Sequence, residues 1–244
     1  MCQKLERNNK CFCGSGIKYK KCHYHINSES KIAELYVYRD KFNKSVKELK
    51  LLNLCKCNCN ECCKDYFYIT ENEFLLILDY LISKNINIDN YIVMAKEVYN
   101  DISLKHSDII CKLDENANRM GNFEYYFDDR ENYSDLPNCI FLKNGLCEIY
   151  EVRPDVCRAY GTTISCNKIN NQFIDIREMY EMFAVSQMLQ GNNKIINIRP
   201  YPMFYWFEYF LGNGTMKLKT MNKLNVILKK SKNEYGRLYE ILNT

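Results

Sequence analysis

The chain has 244 residues, 26% of them charged and 47% hydrophobic, which is the balance of a globular protein and not of a disordered one. No apolar run approaches the ~20 residues of a transmembrane helix, and Met1-Cys2-Gln3-Lys4-Leu5-Glu6-Arg7 lacks the apolar centre of a signal peptide, so a cytosolic protein starting at or near Met1 is expected. The net charge of +4 is unevenly placed, with six Lys/Arg against one Glu over residues 1–25, seven against two over 215–244 and an acidic middle, which excludes a uniformly basic nucleic-acid binder.

The two basic ends read first as solvated termini, with contact to an acidic partner as the alternative. Fourteen cysteines stand beside three histidines and one tryptophan. In a secreted chain that content would suggest disulfides; in a cytosolic one it suggests metal.

Residues 1–25 are rich in Cys, Lys and Gly and poor in apolar side chains. Such a segment cannot fold by burying a core and needs a staple, for which a metal ion is the natural choice. Asn27-Ser28-Glu29-Ser30 reads as a junction and helix N-cap. From Lys31 to about Leu52, the residues Ile32, Leu35, Tyr36, Phe42, Val46, Leu49 and Leu52 recur at helical spacing. Residues 55–64 carry no apolar side chain except cysteine and read as a loop or distorted turn. Thr70, with Glu73 three positions on, forms a capping box that opens a second helix along Phe74, Leu75, Leu78 and Leu81.

Residues 85–90 read as a loop, and a third helix is expected from about Tyr91 to Leu113. A polar stretch over 114–138 leads to a further helix over 177–190 and a last one over the final 25 residues. The aromatic run from Tyr201 to Leu211 reads as core and not as a cofactor stack. Pro154 is expected to start a short helix that presents Cys157 on its first turn.

The sharpest local signal is Cys11-Phe12-Cys13-Gly14-Ser15-Gly16, followed by Lys18-Tyr19-Lys20-Lys21-Cys22-His23. Four soft ligands within 13 residues suit a tetrahedral Zn²⁺, and the glycines let the chain fold back tightly around the ion. His25 stands as a substitute fourth ligand. The bland alternative is a cysteine-rich tail without metal. This pattern closely resembles the SEC-C motif, best known from the C-terminus of the preprotein translocase SecA. The resemblance implies that Cys11, Cys13, Cys22 and His23 are zinc ligands. It also implies a docking module, with a protein or the ribosome as the expected partner.

Further cysteines fall into two groups. The first is Cys55, Cys57, Cys59, Cys62 and Cys63; the second is Cys139, Cys147, Cys157 and Cys166. As a helix, 55–63 would place Cys55, Cys59, Cys62 and Cys63 on one face with its ends ~12 Å apart, too far for one mononuclear ion. Either the segment wraps as a loop or its thiols divide between two sites, and the second group completes the set. Soft thiolates select Zn²⁺, Cu(I) or an iron–sulfur cluster. Arg153 and Arg158 either offset residual thiolate charge or form a buried ion pair with Asp155 or Glu151. Together the two groups resemble the YkgJ-like cysteine-cluster family, whose described role is chelation of zinc or iron. That resemblance carries Cys55, Cys59, Cys62, Cys63, Cys139, Cys147, Cys157 and Cys166 over as ligand candidates, with Cys57 extra to the pattern. Cys2 and Cys111 match nothing and read as ordinary thiols.

The expected fold is mainly α with irregular metal-binding loops. A small zinc module over 1–25 precedes a metal-stapled helical domain over 30–244, its cluster core at about 50–170 and a helical extension over 171–244. The expected cofactors are Zn²⁺ in the module and an iron–sulfur cluster or zinc/iron in the core. No membrane and no specific nucleic acid is expected as a partner. Two other function classes stand beside metal binding. One is a protein lysine N-methyltransferase, from the similar cysteine cluster of the flagellin lysine methylases. The other is a translation or secretion adaptor acting through the SEC-C-like module. His106, in a polar helical stretch, reads as a surface residue, and the Asp128-Asp129 pair as solvated loop.

Overall fold

The computed structural model describes residues 4–51, 61–118, 135–166, 173–187, 199–214, 216–219 and 222. A 3-10 turn at Tyr19–Lys21 precedes α1 (Lys31–Glu48), and a second at Glu61–Lys64 leads into β1 (Tyr68–Ile69), α2 (Glu71–Ser83), α3 (Ile88–Lys105) and α4 (Ser107–Asn118). Then follow β2 (Leu142–Lys143), β3 (Leu146–Cys147), a 3-10 turn at Tyr150–Val152, α5 (Asp155–Ala159), α6 (Arg177–Gln187) and β4 (Tyr201–Pro202). Last comes α7 (Met203–Tyr205), which runs on as a π-helix over Trp206–Gly212. The protein is mainly α, as expected. The expected helix over the last 25 residues lies outside the described residues. The chain forms two compact units, one of residues 1–56, 154–195 and 221–244, the other of 57–153 and 196–220.

In the first unit, α1 begins where Ser30 accepts the Ala33 N–H at 3.2 Å. It stops at Glu48, short of the expected Leu52, because Lys50 turns left-handed at φ 57° and breaks the ladder. Phe42 and Val46, one turn apart, pack with Ala159 of α5 and with Ile176, Met179 and Met182 around α6. Beside this core, Arg39 donates to Asp155 at 2.5 Å, both side chains being nearly sealed from water. Burial pushes the Asp155 carboxyl up, against the pull of Arg39 and Arg158. Arg158 in turn donates to Asn43 Oδ1 at 3.1 Å.

In the second unit, the capping box at the start of α2 is present: Thr70 and Glu73 each bond the other's backbone N–H. The α2 C-terminus closes with Asn85 at φ 55° and with Ile86 N–H on Leu81 O at 2.9 Å, a Schellman arrangement. The aromatic run is core. Phe74 stacks on Trp206 at 4.9 Å, Phe141 meets Phe207 at 5.5 Å, and Trp206 Nε1 donates to Ile69 O at 3.0 Å. Tyr205 and Tyr99 donate to the two oxygens of Asp114 at 2.8 and 3.0 Å.

The single helix expected over 91–113 is two. At His106 the backbone leaves the helical region (φ −142°, ψ 60°), and α4 restarts at Ser107. His106 is held there by Asp135 at 3.3 Å, so it is a half-buried hinge residue and not a freely solvated one. Among the described residues no helix is long and apolar enough to cross a membrane.

Removing one partner of a sealed ion pair leaves the other charge under-compensated, here with Arg158 as the remaining cation acting on Asp155. Arg39→Met is therefore expected to lower stability by about 3 kcal/mol or more in denaturant titration. The double variant Arg39→Met with Asp155→Asn should recover a clear part of that loss.

Candidate metal centres

The N-terminal segment is a miniature hairpin. Lys10 and Lys18 form an antiparallel bridge, Cys11 N–H donates to Ile17 O at 2.8 Å and Tyr19 N–H to Asn9 O at 2.8 Å. The turn between them needs glycine: Gly14 and Gly16 sit at φ 78° and 75°. Gly14 has a second constraint, since a Cβ there would run into the Asp40 carboxyl of α1. The 3-10 turn at Tyr19–Lys21 then delivers Cys22 and His23 to the open side of the hairpin. Tyr19 is buried and its hydroxyl donates to Ile26 O, which ties the exit strand down.

This backbone brings together Cys11, Cys13, Cys22 and His23, whose ligand atoms all lie within 4.8 Å of one another. Cys13 and Cys22 sulfurs are 3.6 Å apart, and His23 Nδ1 lies 3.1 Å from Cys22 Sγ and 3.4 Å from Cys11 Sγ. A tetrahedron with Zn–S near ~2.3 Å and Zn–N near ~2.0 Å has edges of roughly 3.5–3.8 Å. The set fits that ion, with His23 supplying Nδ1. His25 stays outside the set, its ring 6.0 Å from that of His23. Burial pushes the Cys11 thiol up to about 12. Burial also raises Cys13, but hydrogen bonds from His23 and Ser15 outweigh it and bring it to about 6. Cys22 is raised, mainly by burial.

A second set of thiols, Cys62, Cys63, Cys139 and Cys147, belongs to the second unit. The 3-10 turn at Glu61–Lys64 presents Cys62 and Cys63, and Cys139 N–H donates to Cys63 O at 2.7 Å, which joins the two cysteine groups through the backbone. Cys139 is followed by Ile140 and Phe141, both buried, so the aromatic core anchors it. Cys147 closes the β2–β3 hairpin, paired with Leu142 across a two-residue Asn144-Gly145 turn with both residues at positive φ. That Asn-Gly pair is a hairpin signal legible in the sequence.

These four thiols feel one another electrically. Cys63 is pushed up first by its hydrogen bond with Cys62, then by burial and by the charges of Cys62, Cys139 and Cys147. Burial raises Cys139 to about 12. Cys62 falls to about 7, with the bond from Cys63 as the largest cause and Arg153 assisting. Arg153 also pulls against the burial that raises Cys147, and its guanidinium lies 3.9 Å over the Tyr150 ring. The charge-offsetting role expected of Arg153 is thus the one its surroundings give it, whereas Asp155 takes Arg39, 116 residues away, as its partner.

One local feature recurs in both groups. The sulfurs of Cys11, Cys13, Cys139 and Cys147 each accept a backbone N–H from two residues on, namely Cys13, Ser15, Phe141 and Ile149. Such bonds favour the charged thiolate, the form that ligates metal.

The comparisons match these two regions. Residues 7–24 match the SEC-C motif. Residues 54–181, just over half of the chain, match the CxxCxxCC family, described as "Putative zinc- or iron-chelating domain". The chain belongs to the CxxCxxCC family. No curated protein and no solved structure gives a match. The two matches and the Cys/His cluster support metal binding.

Of the remaining candidates from the CxxCxxCC pattern, Cys157 sits half-buried in the first turn of α5 behind Pro154, and Cys166 is buried beyond the turn over 161–164. Both belong to the first unit. Cys55 and Cys59, with Cys57 and Cys2, lie outside the described residues, as does the Asp128-Asp129 pair. Cys111 is an exposed thiol on α4. Sequence reasoning missed Tyr36, whose ring lies 4.5 Å from that of His23, and Asp40 against Gly14. Both come from α1, and no window around the cysteines contains them.

Metal uptake by this set should release protons. With Cys13 lowered and Cys11 and Cys22 raised, Cys13 is the sulfur expected to ionise first. Zinc loading at pH 7 is expected to release about two protons from a preorganised site, against close to three from an unstructured one whose thiols titrate near ~8.5. Titration calorimetry in buffers of different ionisation enthalpy counts them. Affinity should fall as pH drops, because protons then compete for the sulfurs.

Proposed function

We propose that the protein is a two-centre metal protein. Zinc is held by Cys11, Cys13, Cys22 and His23 Nδ1. The second centre is an iron–sulfur cluster or a zinc/iron site on Cys62, Cys63, Cys139 and Cys147, joined by further cysteines of the family pattern. The observation that carries the reading is the closure of three sulfurs and one imidazole nitrogen to within 4.8 Å. For the second centre, the support is the family match over 54–181 and the Cys139 N–H bond to Cys63 O; among the described residues only the N-terminal set has its ligand atoms drawn together within 4.8 Å. Thiolates that share a site repel one another, and a cation of soft character relieves both the repulsion and the burial cost.

A docking role for the module has its own support. Ile17 and Tyr24 are 50% and 52% exposed among the exposed Lys10, Lys18, Lys20 and Lys21. Exposed apolar side chains and exposed lysines on one small module suit an acidic protein or ribosomal surface.

Anaerobic purification followed by zinc, iron and acid-labile sulfide analysis tests the two-centre reading. One zinc per chain should survive in every preparation and vanish in Cys13→Ser. Iron with sulfide and a broad visible absorption band identifies a cluster in the core, and a second equivalent of zinc identifies a structural site. A chain that carries no metal in either region, and whose melting is unmoved by a chelator, sinks the proposal.

A further inference from the structure

The N-terminal metal loop is packed against one helix, and the same helix grips the segment that carries Cys157. On α1, Tyr36 and Asp40 are one turn apart and share a face. Tyr36 covers the imidazole of His23 at 4.5 Å, and Phe12 closes the group at 5.7 Å from Tyr36 and 5.4 Å from His23. Asp40 fills the space over Gly14 and is itself held by Lys44 at 2.6 Å. The next strip of the helix carries Arg39 and Asn43, again one turn apart. Arg39 holds Asp155 at 2.5 Å, two residues before Cys157, and Asn43 accepts from Arg158, the residue after it. Ala159, at the end of α5, lies in the same core as Phe42 and Val46 of α1.

We propose that α1 is a clasp coupling the N-terminal metal site to α5. Tyr36 and Asp40 act as positioning residues for the metal loop, and Arg39 and Asn43 as positioning residues for the turn of Cys157. The inference rests on the reading that Cys11, Cys13, Cys22 and His23 hold zinc. The physical ground is that the two grips are adjacent strips of one rigid helix whose third face is packed into the core. Segment 4–25 has no apolar core of its own, so its order depends on the ion and on α1 together. When the ion orders the loop, the loop fixes Tyr36 and Asp40, and α1 can then hold Arg39 in register with Asp155. The coupling is reciprocal: whatever fixes α5 must also favour metal in the loop.

The test uses the full chain, with zinc per chain measured directly and backbone amide exchange followed by mass spectrometry. His23→Ala should lose one zinc and speed exchange over 155–160 about tenfold, within the range of typical coupling between two sites. Exchange in α3 serves as the internal control and should not move. Tyr36→Ala, with every ligand intact, should weaken zinc binding about tenfold. Tyr36→Phe should restore it, since the ring does the work. Asp155→Asn, remote in sequence from every ligand of the module, should also weaken zinc binding.

If His23→Ala loses its zinc while exchange over 155–160 stays at the parent rate, the clasp is overturned and the site reading stands. A rise spread equally over α3 overturns it too, because the loss is then global. If His23→Ala retains all its zinc, the site reading itself fails, and the clasp with it.

Discussion

Crowded thiols impose a constraint that the rest of this chain is arranged to meet. A sulfur withdrawn from water resists ionisation, and burial is the leading reason that Cys11 and Cys139 rise to about 12. Neighbouring sulfurs make it worse by repulsion. Yet a metal takes only the thiolate. The protein answers with donors placed two residues on from four of the sulfurs, with His23 and Ser15 beside Cys13, and with Arg153 beside Cys62 and Cys147. These groups lower the cost of the charged form before any cation arrives.

The two cysteine groups are anchored by different means. The N-terminal hairpin has little apolar material, so its geometry comes from two left-handed glycines, a short bridge and the aromatic trio Phe12, His23 and Tyr36. In the second unit the aromatic core does the anchoring. Phe141 lies between Tyr91 at 4.6 Å and Phe207 at 5.5 Å, and it is two residues from Cys139. Tyr66, whose ring meets Phe204 at 5.4 Å and whose hydroxyl donates to Pro137 O at 2.6 Å, fixes the approach to Cys139 from the other side. The dense aromatic run over 201–211 is therefore the foundation on which a cysteine loop is laid.

What the sequence showed depended on the range of the interaction responsible. The Thr70–Glu73 box, the Ser30 cap and the Pro154 start of α5 are made within four residues, and each stood in plain view. So did the N-terminal Cys/His cluster, because all four of its members fall within 13 residues. The break at His106 was not legible: helical periodicity continues through it, and the contact with Asp135, 29 residues on, is made after the chain returns. The partner of Asp155 was hidden for the same reason. Local logic offered Arg153 or Arg158, and Arg158 does act on it, but Arg39 reaches it from 116 positions away. The Asn144-Gly145 turn is the opposite case, a short-range signal present in the sequence and passed over in favour of the cysteines on either side.

The position of Tyr36 and Asp40 bears on how a metal motif of about 18 residues acts within a longer chain. Taken alone, the SEC-C-like segment contains its ligands, its glycines and its turn. It lacks the second ring that covers the imidazole of His23 beside Phe12, and it lacks anything to fill the space over Gly14. Here α1 supplies both from residues one helical turn apart. A ring that moved away from Tyr36 would lose its packing and swing Nδ1 away from the sulfurs of Cys11 and Cys22, 3.4 and 3.1 Å distant. The outer contacts therefore hold the His23 ring with Nδ1 toward the sulfurs. The motif sets the chemistry of the site, and the helix beside it sets the geometry.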